Sequence, residues 1–290
     1  AVNNGSMRTT GVDGSLQARI LNGSVKWDMG IRFGIYRNKI TALPSQRMLS
    51  SYGGATYLTE LGREANLFYG YKTQGVFASD AEAAASGLTN VKSDGTLAPF
   101  RGGDVRFVDE NNDHLIDSRD QVVIGNPNPK LSGGISTGLS WRNWSAEALF
   151  TFSEGNDIYN YDRAQLESMK GFENQSVAVV NRWKAEGQQT SIPRAAWGDP
   201  SGNARFSDRW IEKGSYLRLR TASLSYNLPV KASALKYIKI YATGNNLVTW
   251  SRYLGYDPEF AASNSLFAQG IDFGMEPEFS SVQLGIRLGF

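Results

Sequence analysis

Apolar and polar residues alternate one by one along several stretches of this 290-residue chain, the pattern of β-strands with two unlike faces. From Ser281 to Phe290, Val282, Leu284, Ile286, Leu288 and Phe290 fall on one face, and Ser281, Gln283, Gly285, Arg287 and Gly289 on the other. Such a strand suits a lipid-facing wall around a wet lumen, but the edge strand of a soluble sandwich alternates in the same way. The run 12–20 sets Val12, Gly14, Leu16, Ala18 and Ile20 against Asp13, Ser15, Gln17 and Arg19. Asn22-Gly23 then signals a tight hairpin, because both residues tolerate positive φ. The return strand sets Val25, Trp27, Met29, Ile31, Phe33 and Ile35 against Lys26, Asp28, Gly30, Arg32, Gly34 and Tyr36.

A third run carries Leu131, Gly133, Ile135, Thr137, Leu139 and Trp141, and a fourth carries Trp144, Ala146, Ala148, Phe150 and Phe152. Aromatics flank the Arg142-Asn143 turn between them, as an interfacial girdle requires. The run 216–228 slips phase: Leu217 and Leu219 share one parity, Ala222, Leu224, Tyr226 and Leu228 the other. A bulge near 220–221 reconciles the two halves. Pro229 ends that run, and 237–249 returns with Ile238, Ile240 and Ala242 on one face.

The connections alternate too. Those at 22–24, 142–143 and 229–236 are short, while those at about 39–130, 154–215 and 251–279 are long. Compact soluble domains seldom place long loops on one side only, whereas outer-membrane barrels join short periplasmic turns to long extracellular loops. The expected fold is therefore all-β, a transmembrane antiparallel β-barrel. Within the loops, Ser79 and Glu82 have capping-box spacing ahead of the Ala-rich 81–85, and 162–170 and 175–186 also read as helical. Leu67 to Phe77 reads as an extra strand. About seven strands are too few, and odd in number, for a closed bacterial barrel. The whole of 1–290 is thus expected to be the C-terminal portion of a larger barrel, or one piece of a split one.

No apolar run approaches the roughly 18 residues of a transmembrane helix, which leaves a barrel open because half of each barrel strand is polar. The formal charge of +2 with no Lys/Arg block argues against nucleic acid as a partner. Absence of Cys removes disulfides and Cys-ligated metals.

The loops carry a resemblance. Gly155-Asn-Asp-Ile-Tyr-Asn160, Asn181-Arg-Trp183, Ile192-Pro-Arg-Ala195 and the run Ser207 to Arg220 resemble the C-terminal third of SusC/RagA-type TonB-dependent transporters. So do Asn245-Asn-Leu-Val-Thr-Trp250, Gly255-Tyr-Asp-Pro-Glu259 and Gly270-Ile-Asp-Phe-Gly274. Upstream, Phe68-Tyr-Gly-Tyr-Lys72, the acidic loop 109–120 and Ile124-Gly-Asn-Pro-Asn-Pro129 keep the same order. The resemblance implies a 22-stranded outer-membrane barrel filled by a plug. It also implies a SusD-like lipoprotein lid, and a TonB complex that drives import of oligosaccharides or oligopeptides. This chain would supply about the last seven strands, with outer-membrane lipid around them. The plug and TonB-contacting segment, absent here, would lie with the remainder of the barrel. The competing reading is a transporter-like barrel serving as a structural or assembly scaffold in a larger outer-membrane complex.

Candidate chemistry concentrates in the loops. Asp109, Asn111, Asp113, Asp117 and Asp120, with the Leu115 carbonyl, have the spacing of a calcium loop, so one structural calcium ion is expected. His114 stands at the sharp-turn position where Gly is favoured, and Asp120 is one methylene shorter than the usual Glu. His114 is also the only histidine, so no His-based triad forms within the chain and an enzyme is not expected. Asp208 and Glu212 are expected to form salt bridges with Arg205 or Arg209. Trp183, Trp197, Trp210, Trp250, Tyr253 and Tyr256, beside Asp199, Asp208 and Asp257, are candidate platforms for sugar rings or peptides. Trp27, Ile31, Phe33, Ala148, Phe150, Leu284, Ile286 and Leu288 should face lipid. Lys26, Arg32, Gly34, Glu147, Gln283 and Arg287 should face the lumen. Ordering such long loops costs roughly 1–2 kcal/mol per residue, so they are expected to pack on the lid through 154–215 and 251–279.

Overall fold

A computed structural model describes residues 5–92, 95–230, 235–260 and 269–290. Its largest element is a seven-stranded antiparallel sheet in chain order. The strands are β1 (Ser6–Asn22), β2 (Val25–Ala42), β3 (Leu131–Trp141), β4 (Trp144–Glu154), β5 (Tyr216–Leu228), β6 (Tyr237–Ser251) and β7 (Ser281–Gly289). Every predicted wall strand is present, and β1 and β2 extend beyond the predicted runs. The predicted turn 229–236 includes 231–234, which lie outside the described residues.

The register separates the two kinds of side chain. Gly30 pairs with Gln17 and Ser136, Ser136 with Leu149, Leu149 with Thr221, and Thr221 with Asn245. One row away, Glu147 joins Gly138 to Ser223, Ser223 pairs with Thr243, and Thr243 with Gln283. Because directly opposed residues share a face, Arg32, Gly34, Glu147, Gln283 and Arg287 stand on this small, polar side. The opposite side carries Leu16, Ile31, Ile135, Phe150, Leu219 and Val248 in one continuous row. In β5 the phase slip is absorbed at Arg220, which is skipped in pairing with both neighbours: Leu149 meets Thr221 while Phe150 meets Leu219. The first hairpin differs from expectation. Neither Asn22 nor Gly23 adopts positive φ; Ile20 is bulged instead, and the Gly23 amide donates to the Val25 carbonyl at 3.1 Å.

The sheet has no core of its own. Among the buried hydrophobic residues described, only Ile40 belongs to it, whereas Val12 is 63% and Leu284 83% exposed. A soluble sandwich buries one face against a second sheet; here the apolar face stands open.

The core lies in the long connections, which pack on one another. This overturns the premise that they need a lid to become ordered. One cluster joins Ala55, Tyr57, Phe68, Tyr159, Ala164, Trp210 and Ile271 from all three connections; a second joins Phe77, Ala83, Phe100, Val105, Phe107 and Ile116 from the first. A small sheet of Ile211–Lys213, Asp157–Asn160 and Ile271–Asp272 stitches the second connection to the third. Helix α1 (Asp80–Ser86) forms where the capping spacing places it: the Ser79 hydroxyl accepts from the Glu82 amide, and Gly87 closes it at φ 69°. Helix α2 (Tyr161–Leu166) is shorter than the predicted 162–170, since Met169 adopts φ 52°. Of 175–186 only a 3-10 turn at Val177–Asn181 forms. Its β-branched valines favour helix weakly, and the Trp183 amide donates away to the Ile192 carbonyl at 2.9 Å. The predicted strand at Leu67–Phe77 is two, Leu67–Gly70 and Thr73–Val76, broken where Tyr71 bridges to Ser207.

Candidate functional site

The polar wall and the crown of packed loops above it meet at the loop ends of the strands. Three carboxylates clasp the crown. Asp104, fully buried, accepts from Arg194 Nε at 2.9 Å and Nη2 at 3.2 Å, from Asn203 Nδ2 at 3.1 Å and from the Arg101 amide at 2.9 Å. Asp208 accepts from the Thr73 amide at 3.2 Å and hydroxyl at 2.7 Å. Glu212 pairs with Arg163 at 2.9 Å and accepts from the Leu254 amide at 2.8 Å. The predicted partners of Asp208 and Glu212, Arg205 and Arg209, go elsewhere. Arg205 lies over Tyr71 and Phe107 and donates to Asn90, while Arg209 lies over Trp210 and donates to the Asn203 carbonyl. Burial, then the neighbouring Arg163, lowers the Arg209 guanidinium to about 10.

The candidate aromatics divide sharply. Trp210 is 1% exposed inside the loop core, so it offers no face to a ligand. Tyr253 is buried and donates to Asp272 at 2.5 Å, and Trp183 donates to the Ala78 carbonyl at 2.9 Å while lying close against Gly103. Trp250 pairs with Leu217 on the apolar side of the wall, opposite the polar face. Trp197 and Tyr256 remain, exposed, with Trp197 against Phe172 at 4.3 Å between ring centroids. Loop sequence lacks the periodicity that would have sorted them.

The acidic loop is knit to itself. His114 takes the left-handed conformation its position implied, at φ 62°. Asp109 accepts from the amides of Asn112 at 2.7 Å, Asp113 at 3.3 Å and His114 at 2.8 Å. Asn111 accepts from the Asp113 amide at 3.0 Å, and Asp113 from the Leu115 amide at 2.9 Å. Arg119 Nη2 lies 2.7 Å from Asp113 and 2.8 Å from Asp117. Asp120, fully buried, accepts from the Glu110 and Asp117 amides. No group of three or more acidic or histidine side chains is gathered for a metal among the described residues. Burial pushes Asp109 up, but its backbone amides outweigh this and hold it below the ordinary carboxylate range; Arg119 does the same for Asp117. Burial raises Asp120.

A fourth cluster, not singled out in the sequence, sits where wall meets crown. Arg218, 2% exposed on the polar face of β5, hydrogen-bonds Asp257 and lies 3.4 Å from Glu259. Arg220 at the bulge pairs with Glu259, donates to Asn246 at 3.1 Å and lies 3.8 Å from Glu278. The family-like runs Leu217-Arg-Leu-Arg220 and Asp257-Pro-Glu259 held the signal for this contact.

The chain is 30% identical over 266 residues to TonB-dependent receptor P26 of Formosa agariphila, covering 89% of this chain and 26% of that protein. TonB-dependent receptor P3 of the same organism is 29% identical over 268 residues, covering 89% and 26%. TonB-dependent receptor SusC of Bacteroides thetaiotaomicron is 25% identical over 273 residues, covering 89% and 24%. The chain thus spans about a quarter of the length of the curated relatives it matches. No protein-family model matches it. Among solved structures, the RagAB peptide transporter superposes with a TM-score of 0.76 at 24% identity, over 99% of this chain and 30% of that one. The RagAB peptide importer in the closed-closed state gives 0.75 at 24%, with the same coverage. These two likenesses concern the fold.

The depressed Asp109 gives the acidic loop a definite pH dependence. A carboxyl held below its unfolded value contributes stability above that value and loses it as pH falls through the folded one. Protection of the Asn112, Asp113 and His114 amides is therefore expected to persist at neutral pH and to be lost as pH falls below the ordinary carboxylate range, read as protection factors because free amides themselves exchange more slowly in acid. In Asp109→Asn the same amides should exchange fast with no acid limb; an unchanged acid limb would show that another carboxyl holds the loop.

Proposed function

Since the chain belongs to the SusC/RagA-type TonB-dependent receptors, we propose that it is the outer-membrane barrel segment of an importer of oligosaccharides or oligopeptides. A SusD-like surface lipoprotein works with it, and TonB coupling comes through the plug. The observation that carries this reading is the wall: a coreless sheet, polar and small on one face, apolar on the other, with a folded crown at one end. Lipid satisfies the apolar face, and a wet lumen the polar one. Trp141, Trp144 and Tyr226, paired across the turn ends of β3, β4 and β5, form an interfacial girdle on the lipid side. No helix among the described residues is long and apolar enough to cross a membrane, so any crossing belongs to the strands.

The lid is supported by the relatives and by apolar side chains that the crown leaves uncovered, including Phe172 at 92% and Leu254 at 73% exposure. Loops 154–215 and 251–279, of which 261–268 lie outside the described residues, are its docking side, and Trp197 and Tyr256 are the aromatics free to touch cargo. A structural calcium ion within Asp109–Asp120 is a separate proposal, supported by the left-handed His114 and the spacing. Arg119 stands in for part of that cation, since its charge already lies between Asp113 and Asp117.

Three measurements test these readings. Ile286→Arg on the lipid side should cost about 2–4 kcal/mol near mid-membrane and Gln283→Arg little, as read by urea titration of the whole protein in lipid vesicles; equal costs would reverse the register. Cells producing the whole protein should bring a lipoprotein through mild-detergent purification and take up labelled oligopeptides or oligosaccharides only with TonB present. Uptake of neither class, with no lipoprotein recovered, would end the importer reading. For calcium, Arg119→Gln should tighten binding by removing the competing charge, measured by calorimetric titration; no heat from either protein would remove the ion.

A further inference from the structure

The third long connection is anchored in two places of different character. Its far part belongs to the crown: Ile271 is fully buried, the Tyr159 amide donates to the Gly270 carbonyl at 2.8 Å, and Tyr57 Oη donates to the Gln269 carbonyl at 2.8 Å. Its two near arms, 255–259 and 276–280, converge instead on Asp257, while Tyr253, Leu254, Gly274 and Met275 beside them are tied to the crown through Asp272 and Glu212. One oxygen of Asp257 accepts from Arg218 and from the Glu259 amide at 2.8 Å; the other accepts from the Glu278 amide at 3.2 Å. The paired irregularity in β5 and β6 supplies the second hold. Asn246, at φ 50°, donates to Glu278 at 3.1 Å and to the Phe279 carbonyl at 3.2 Å, and receives Arg220.

The Arg218 contact differs from the crown's own buried pair. Arg194 spends two nitrogens on Asp104, and Asp104 is further satisfied by Asn203 and the Arg101 amide. Arg218 hydrogen-bonds through Nη2 alone. Its Nε is buried without a hydrogen-bond acceptor, as is the hydroxyl of Thr151 directly across the pair, and its Nη1 meets Glu259 only as an ion contact at 3.4 Å. Unmet buried donors subtract from what the ion pair contributes. The near arms are thus held by charge, incompletely satisfied, on the polar face of the wall, whereas the far part is seated in the apolar core of the crown.

We propose that Arg218 and Arg220, with Asp257, Glu259 and Glu278, form a releasable ion-pair latch. It fixes residues 255–259 and 276–280 against the loop end of the polar wall, independently of the crown. Release uncovers Arg218 to that face and leaves Ile271 and its neighbours in place. The latch stands whether or not the protein is an importer, because its test reads loop protection and no transport.

Hydrogen exchange on the whole detergent-solubilised protein tests it, comparing amides in 255–259 and 276–280 with crown peptides from 67–77 and 157–163. In Arg218→Gln the near arms should exchange about tenfold faster or more while the crown stays unchanged, since local opening and global unfolding are separate events. Arg220→Gln, at a more exposed position, should loosen 276–280 and serves if the first variant does not fold. In the unmodified protein, raising sodium chloride should speed exchange in the same arms and leave the crown alone. Near arms as protected in both variants as in the parent would overturn the latch. Crown peptides opening in step with them would do so too, because the pair would then be a general folding contact.

Discussion

One surplus residue, Arg220, lets the whole wall keep two faces. Strand side chains alternate without exception, so a single slip in register exchanges every apolar residue for a polar one. Without a bulge, β5 would bring either Leu217 and Leu219 or Ala222 and Leu224 onto the polar side. Skipping Arg220 keeps both pairs in line with Phe150 and Ala148 of β4. The same irregularity is answered in β6 around Asn246, and there the two strands reach the third connection. Barrel register and loop attachment therefore rest on one local departure from regular pairing.

The wall and the crown solve opposite problems. The wall buries almost no side chains and is held by its ladder, an arrangement that suits a surrounding without water, where unpaired backbone groups are costly. The crown, in contact with water, needs hydrophobic burial to offset the entropy of ordering its long connections. It finds it in Tyr57, Phe68, Tyr159, Trp210 and Ile271, contributed by segments more than a hundred residues apart in sequence.

That division explains how much was legible in the sequence. Wall strands, short turns, the bulge near 220–221 and the Ser79 cap are local patterns, so residue order alone reveals them. The crown is not local. Trp210 and Trp197 stand in equally irregular sequence, yet one is buried in a core cluster shared with Phe68, Tyr159 and Ile271 while the other lies exposed against Phe172. Nothing within several residues of either predicts the difference. The Asp109–Asp120 loop shows a different limit: spacing describes donors, but Arg119, inside the same motif, decides where two of them point.

Self-packing of the loops also changes what the proposed lid would have to do. Had the loops been unsupported, a partner would have had to order them as it bound, and binding would have carried that entropic cost. With the crown already folded, a partner meets a largely preformed surface, and Phe172, Trp197, Leu254 and Tyr256 are available without rearrangement. What remains adjustable is confined to where charge, and no apolar burial, holds the chain. Along the third connection that place is the junction of Asp257 with Arg218, on the polar side of the wall.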